Sequence, residues 1–159
     1  MSNSAFDDNN RPTLAKDEAQ AAADTATAAL VSELQQGWDQ LDANISNRHV
    51  AADVAWGSPY GATVHGYDQL HRIHTRLKQR GTGGAASRFE IEHAFAVSDD
   101  VIIAHVARYA LDPRGQPIES SADTASGFSE MALYVLVRRE GTWWLAAGQN
   151  TPIRPGSAV

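Results

Sequence analysis

The residues of this chain best suited to chemistry are His93 and His105, on two strand-forming runs joined at Ser98-Asp99-Asp100, and Glu130, at the start of a third such run. Imidazole titrates near neutrality, and a carboxyl held partly out of water is raised toward the same range. A His and a Glu on facing strands therefore make a general acid/base pair. His105 and Glu130 are the candidate pair, and a buried hydrogen-bonded pair without chemistry is the competing reading of the same residues. Their placement turns on one loop. Three residues at Ser98-Asp99-Asp100 set His93 opposite His105 and Phe89 opposite Tyr109, whereas two residues break both pairs. Tyr109 and Tyr134 read as packed aromatics or as acids. His74 completes an otherwise apolar helical stripe with Leu70, Ile73 and Leu77, either as a satisfied core histidine or as part of a pocket wall.

Other chemistries find little support. His71 and His74 have helical i, i+3 spacing, yet no HExxH and no third fixed ligand accompanies them, so no metal is expected. Gly81, Gly83 and Gly84 follow a helix instead of a strand, which is the wrong context for a dinucleotide loop, and no GxSxG occurs; no cofactor is expected. The absence of cysteine removes disulfides and thiol nucleophiles together. With 13 Lys+Arg against 19 Asp+Glu the net charge is −6, and no basic block is present, so nucleic acid is an unexpected partner. No run approaches the roughly 20 apolar residues of a membrane span, and MSNSAFDDNNRPT lacks the basic start and apolar run of a signal peptide. The expectation is a cytoplasmic protein with no membrane partner.

The elements that must position these groups are legible from periodicity. Ala23, Ala26, Leu30, Leu34, Trp38 and Leu41 recur every three or four residues and predict a long first helix, with Thr13 as its cap and helix-breaking residues at Asn44 to Asn47. Val50 to Trp56 and Ala62 to His65 flank the turn Ser58-Pro59-Tyr60-Gly61 as short strands. Tyr67 to Gln79 predicts a second helix, and Arg88 to Val97 and Val101 to Leu111 predict two strands. The chain closes on a hairpin, in which a two-residue turn at Glu140-Gly141 pairs Arg138 with Trp143 and Arg139 with Thr142. Strict alternation then puts Glu130, Tyr134, Trp143, Leu145 and Gln149 on one face, mixing apolar bulk with a few polar groups as small-molecule cavities do. Met131, Leu133, Val135, Val137 and Trp144 face the other way and predict a homodimer through that outer face. Helices segregated from a meander of strands make the fold class α+β. One domain over residues 14–152 is expected, with tails at 1–13 and 153–159.

Several of these segments together carry a family resemblance. The helix bearing Trp38-Asp39, the segment AADVAWGSPYGATVHGYDQLHRIH, the strand DDVIIAHV and the ending LVRREGTWWLAAGQNT resemble the nuclear-transport-factor-2-like superfamily over roughly residues 25 to 152. Within it they are most similar to SnoaL-like and small bacterial SgcJ/EcaC-type proteins. The resemblance implies a cone-shaped, curved antiparallel sheet wrapped around the N-terminal helices. It also implies frequent homodimers, and a pocket that in different members binds, cyclises or isomerises small molecules. Three positions depart from the pattern. Gln149 stands where those proteins commonly have a His before Asn-Thr, Ser58-Pro59 replaces the Asp-Pro whose carboxylate is the base of ketosteroid isomerases, and Trp38 occupies the region of their oxyanion-binding Tyr. A hydroxyl is a poor base near neutral pH, and an indole donates a hydrogen bond without readily passing on its proton. The expected function is binding of a small hydrophobic molecule, aromatic or polyketide-like, in a pocket lined by Trp38, Trp56, Ser58, Tyr60, His74, His93, Tyr109, Tyr134 and Gln149. Isomerase- or cyclase-type chemistry through His105 and Glu130 remains open, and the alternative is a non-catalytic binding or dimerisation module.

Overall fold

A computed structural model describes residues 11–80, 86–118 and 127–154. The outermost parts of both expected tails, and the glycine cluster expected to end the second helix, lie outside these residues. A 3-10 turn, Asp17–Ala19, leads into helix α1, Gln20–Asp39, and a short helix α2, Ala43–Ser46, follows. Strands β1, Val50–Gly57, and β2, Thr63–His65, precede helix α3, Tyr67–Gln79. Then come β3, Ser87–Ser98, β4, Val101–Ala110, β5, Glu130–Arg139, and β6, Thr142–Pro152.

The α1 stripe buries Ala23, Ala26, Leu30 and Leu34, as its spacing predicts. Its two ends differ from expectation. No side chain caps the helix, and Thr13 lies outside any helix or strand. Leu41 adopts a positive φ of 52° and is exposed, so the stripe stops short of it. The expected helix breakers at 44–47 instead build most of α2, because Asp42 accepts a hydrogen bond from the Asn44 N–H at 2.8 Å and caps a new helix.

The six strands form one sheet in the order β2-β1-β6-β5-β4-β3. Four of the five pairings are antiparallel, and β1 with β6 is parallel. The expected curved antiparallel sheet thus includes one parallel pairing. After α3 the chain enters at the far edge and reverses three times, so β6 arrives beside β1 running the same way. One face is packed against α1 and α3 and holds the core, with Ile102, Ala104, Val106, Ala132, Tyr134, Leu136 and Leu145 buried beneath the helices. No described helix covers the other face.

The closing turn has the predicted register, Arg138 with Trp143 and Arg139 with Thr142. Glu140 and Gly141 both take positive φ, 51° and 77°, the conformation that matches the right-handed twist of a two-residue hairpin. Further along, alternation fails. Leu136 pairs with Leu145 but Val135 pairs with Ala147, so Ala146 is an extra residue and every side chain beyond it changes face. Gly148 is thereby turned inward under the Trp56 ring, where a Cβ would stand 2.6 Å from ring carbon Cζ3. At the other hairpin Ser98 pairs with Val101 across a two-residue turn, and bulges within β3 restore His93 opposite His105 while leaving Phe89 opposite Arg108 and Arg88 opposite Tyr109.

Glutamate gains no steric relief at positive φ, whereas asparagine tolerates it. Replacing Glu140→Asn is expected to raise stability by up to about 1 kcal/mol, read as an increased urea midpoint with unchanged slope. A lowered midpoint would show that Glu140 contributes something other than its backbone conformation.

Candidate functional site

Among the described residues the inner face carries one buried cation, Arg108. On β4 the inward positions run Ile102, Ala104, Val106 and then Arg108, which is only 7% exposed. Its Nε donates to Glu130 Oε1 at 3.2 Å, and Nη2 donates to the same oxygen and to the Phe128 carbonyl at 2.8 Å. Nη1 donates to Ser87 Oγ at 3.0 Å. The guanidinium carbon lies 4.4 Å from the centre of the Trp38 ring and 5.8 Å from that of Phe128. Trp38 meets Phe89 edge-on at 6.1 Å, and the Lys78 ammonium lies 5.3 Å from the same indole while donating to the Gly37 carbonyl at 3.0 Å. Burial, partly offset by the charge of Asp42 and reinforced by that of Arg108, holds the Lys78 pKa below its ordinary value. Trp38, Phe128 and Lys78 are half-buried, so solvent reaches this cluster from the edge.

Further along the same face lies a second polar group. Asn47, 2% exposed, joins two histidines: His74 Nδ1 meets Asn47 Oδ1 at 2.9 Å, and Asn47 Nδ2 meets His71 Nδ1 at 3.1 Å. An amide oxygen can only accept, so His74 donates from Nδ1 and keeps its lone pair on Nε2. Burial, with help from the charges of Lys78 and His71, depresses the His74 pKa to about 4, which makes the ring neutral at physiological pH. Its ring meets Trp56 edge-on at 5.4 Å, and Trp56 lies 6.0 Å from Tyr134. The buried Tyr134 hydroxyl is pushed well above its usual range by desolvation and by the charge of Glu130, so it is a donor.

Several expected site residues are therefore brought together, namely Trp38 with Glu130 at one end and Trp56, His74 and Tyr134 at the other. His105 is not among them. It pairs with Leu133 on the outer face and is exposed, whereas Glu130 faces inward onto Arg108, so the proposed acid/base pair cannot form. His93, opposite His105, and Tyr109, whose hydroxyl donates to Glu92 at 2.8 Å, share that outer face. Gln149 was expected inside, but the extra Ala146 turns it outward opposite Leu133. Ser58 accepts from the Tyr60 and Ala62 N–H groups and is spent on its turn. Tyr60 is 73% exposed and meets Phe128 edge-on at 5.9 Å, which places it at the rim. Leu77, assigned to the inner stripe of α3, is exposed, and Lys78 turns inward in its stead.

Arg108, Lys78 and Asn47 went unread as site residues. A signal for Arg108 was present: a lone charge continuing the apolar period-two series of Ile102, Ala104 and Val106 calls for a buried partner. Of two open surface grooves, of about 620 and 840 Å³, the first shares Phe89 with the Arg108 cluster and the second lies away from it. The first runs between α1 and β3, and the second borders β1, the start of α3 and Trp144; neither holds the buried polar groups just described. Among the described residues no three His, Asp or Glu side chains are grouped to hold a metal, and no helix is long and apolar enough to cross a membrane.

The neutral state of His74 has a measurable consequence. Above pH about 6.5 both folded and unfolded states leave it uncharged; between about 6.5 and 4 the unfolded chain takes up a proton that the folded one refuses, so stability falls as pH falls, by roughly 3 kcal/mol across the window. His74→Gln keeps a donor for Asn47 and removes the titration. Urea unfolding at pH 7 and pH 4.5 should show a markedly smaller acid loss in the variant than in the wild type; equal losses would place the acid sensitivity elsewhere.

No protein-family model matches the chain, and no curated protein matches it. Solved structures do. A domain of unknown function with a cystatin-like fold from Nostoc punctiforme is 16% identical, with 83% of this chain and 78% of that one covered at a TM-score of 0.69. A ketosteroid isomerase-like protein from Erwinia carotovora atroseptica is 17% identical over 88% of this chain and 100% of its own, at 0.65. An NTF-2 like protein of unknown function from Shewanella oneidensis, 8% identical, covers 80% of this chain and 98% of its own at 0.63. At these identities the likeness is one of architecture, and it agrees with the element order and the curved sheet over helices: this chain has the cystatin-like α+β fold that these NTF2-like and ketosteroid isomerase-like structures share.

Proposed function

We propose that this protein binds a small, mostly apolar, planar molecule on the inner face of its sheet, at the edge where Trp38, Phe89 and Phe128 surround Arg108. The observation that carries this reading is the half-buried aromatic pair Trp38 and Phe128 over one buried guanidinium, an arrangement that offers flat apolar surface with a fixed polar group beneath. Binding is better supported than turnover. The Oε1 of Glu130 is held by Arg108, and His105 lies on the opposite face. A reaction of isomerase or cyclase type would instead need His74 as base and Tyr134 as donor, since both line the Trp56 end of the same face. A conjugate acid near 4 makes that imidazole a weak base, which favours the non-catalytic reading.

The test uses N-phenyl-1-naphthylamine, an uncharged probe that brightens in apolar surroundings. Saturable binding at one probe per chain is expected, weakened at least about tenfold by Trp38→Ala and by Phe128→Ala and unchanged by His93→Ala or Tyr109→Phe on the outer face. Loss of binding in the outer-face variants, with retention in the inner ones, would overturn the site.

The sheet face that no described helix covers supports the homodimer as part of this reading. Leu133, 40% exposed, sits among Met131, Val135, Ile103 and Phe95 with no described helix above it. Sedimentation at tens of micromolar should give a dimer for the wild type and a monomer for Leu133→Glu. A wild-type monomer, or a dimer that survives the substitution, would rule this face out as the contact.

A further inference from the structure

Resting on the inner-face binding reading, we infer that the ligand carries a carboxylate on its planar ring system and that this anion docks against the donors around Trp38. The inference comes from counting donors. A guanidinium has five N–H groups, and four of those of Arg108 are used, by Glu130 twice, by Phe128 and by Ser87. Among the described residues nothing takes the second N–H on Nη1. Lys78 has three, and one is used on the Gly37 carbonyl. The Trp38 indole N–H meets no acceptor among the described residues. Both cations lie over the same indole, 4.4 and 5.3 Å from its centre.

Acceptors do not match this supply. Glu130 is the one carboxylate bonded to either cation among the described residues. Asp42 adds its field to Lys78, but its Oδ1 caps α2 through the Asn44 N–H, and it forms no ion pair with the ammonium. A half-buried ammonium on an indole beside a second cation is a place where a neutral ligand leaves donors unanswered and a carboxylate answers them. The walls fix the remainder of the ligand. Phe89, Phe128 and Tyr60 border the cluster with ring faces and edges, so the anion is attached to a flat apolar body.

The experiment is displacement of N-phenyl-1-naphthylamine from the full chain by 2-naphthoate and by its uncharged isostere 2-naphthamide. The naphthoate is expected to bind at least about tenfold more tightly, with an advantage that shrinks as salt is raised. Lys78→Met, which keeps the apolar stem on Trp38, should reduce that preference severalfold, and Lys78→Arg should restore it. Equal affinities of the two compounds for the wild type would overturn the inference while leaving the binding site standing. Failure of the probe itself and of both compounds to bind would overturn both readings. The two-compound comparison needs no variant, so a substitution that disturbs folding leaves the decision intact.

Discussion

The arrangement of this molecule hinges on one buried guanidinium. Arg108 reaches Ser87 at the start of β3, Glu130 at the start of β5, the backbone at Phe128 and the indole of Trp38 near the end of α1. Three separate parts of the chain thus meet on one planar group whose donors point in fixed directions. Such a buried ion pair adds little net stability over a well-packed apolar cluster, but removing one partner strands the other charge, at about 3–5 kcal/mol. Its value is geometric. Lysine in the same place would present a point charge, unable to hold Glu130 through two N–H groups while also reaching Ser87 and Phe128.

The second constraint lies at the sheet edge, where β3 would expose unpaired backbone groups. Two glutamines on α1 answer them. The Gln20 amide donates to the Ala94 carbonyl and accepts from Ala96 N–H, and the Gln35 amide donates to the Ser87 carbonyl and accepts from Phe89 N–H. Fifteen helical residues rise about 22 Å, and the seven strand residues between Ser87 and Ala94 span about 23 Å. The helix is therefore fastened to the strand at two matched points, and Trp38, one turn beyond Gln35, is delivered to Arg108. The same two glutamines that quiet the edge also build the candidate site.

Much of this was legible in residue order. Glu140-Gly141 specified its own turn and register because few residue pairs accept two positive φ values, and α3 was readable from Tyr67 to Gln79. What could not be read was parity. A bulge is one residue without partner, it leaves no compositional mark, and it reverses every inward and outward assignment after it. Ala146 sent Gln149 outward in this way. The two-residue turn after Ser98 and the bulges of β3 offset one another, so His93 still meets His105, but on the wrong face for chemistry. The resemblance to a superfamily predicted the scaffold and carries much less about a site, because architecture survives substitutions at the very positions that define a reaction.

On the proposed reading, binding and chemistry separate along the strands. Glu130 pairs with Arg108 and Tyr134 with Ala104, so the two polar ends of the inner face stand four residues apart, about 13 Å of strand. A one-ring carboxylate held between Phe128 and Trp38 is too short to span that length of strand to Tyr134. For a ligand to meet Tyr134 while its carboxylate stays with Lys78 and Arg108, it needs three or more fused rings and must part the packed side chains of Val106 and Ala132 that lie between. Length along the ring system then decides what the inner face does with its guest: short molecules are only held, and long ones are laid against a neutral imidazole and a protonated phenol. The outer histidines take no part in either case, since the sheet itself stands between them and the ligand.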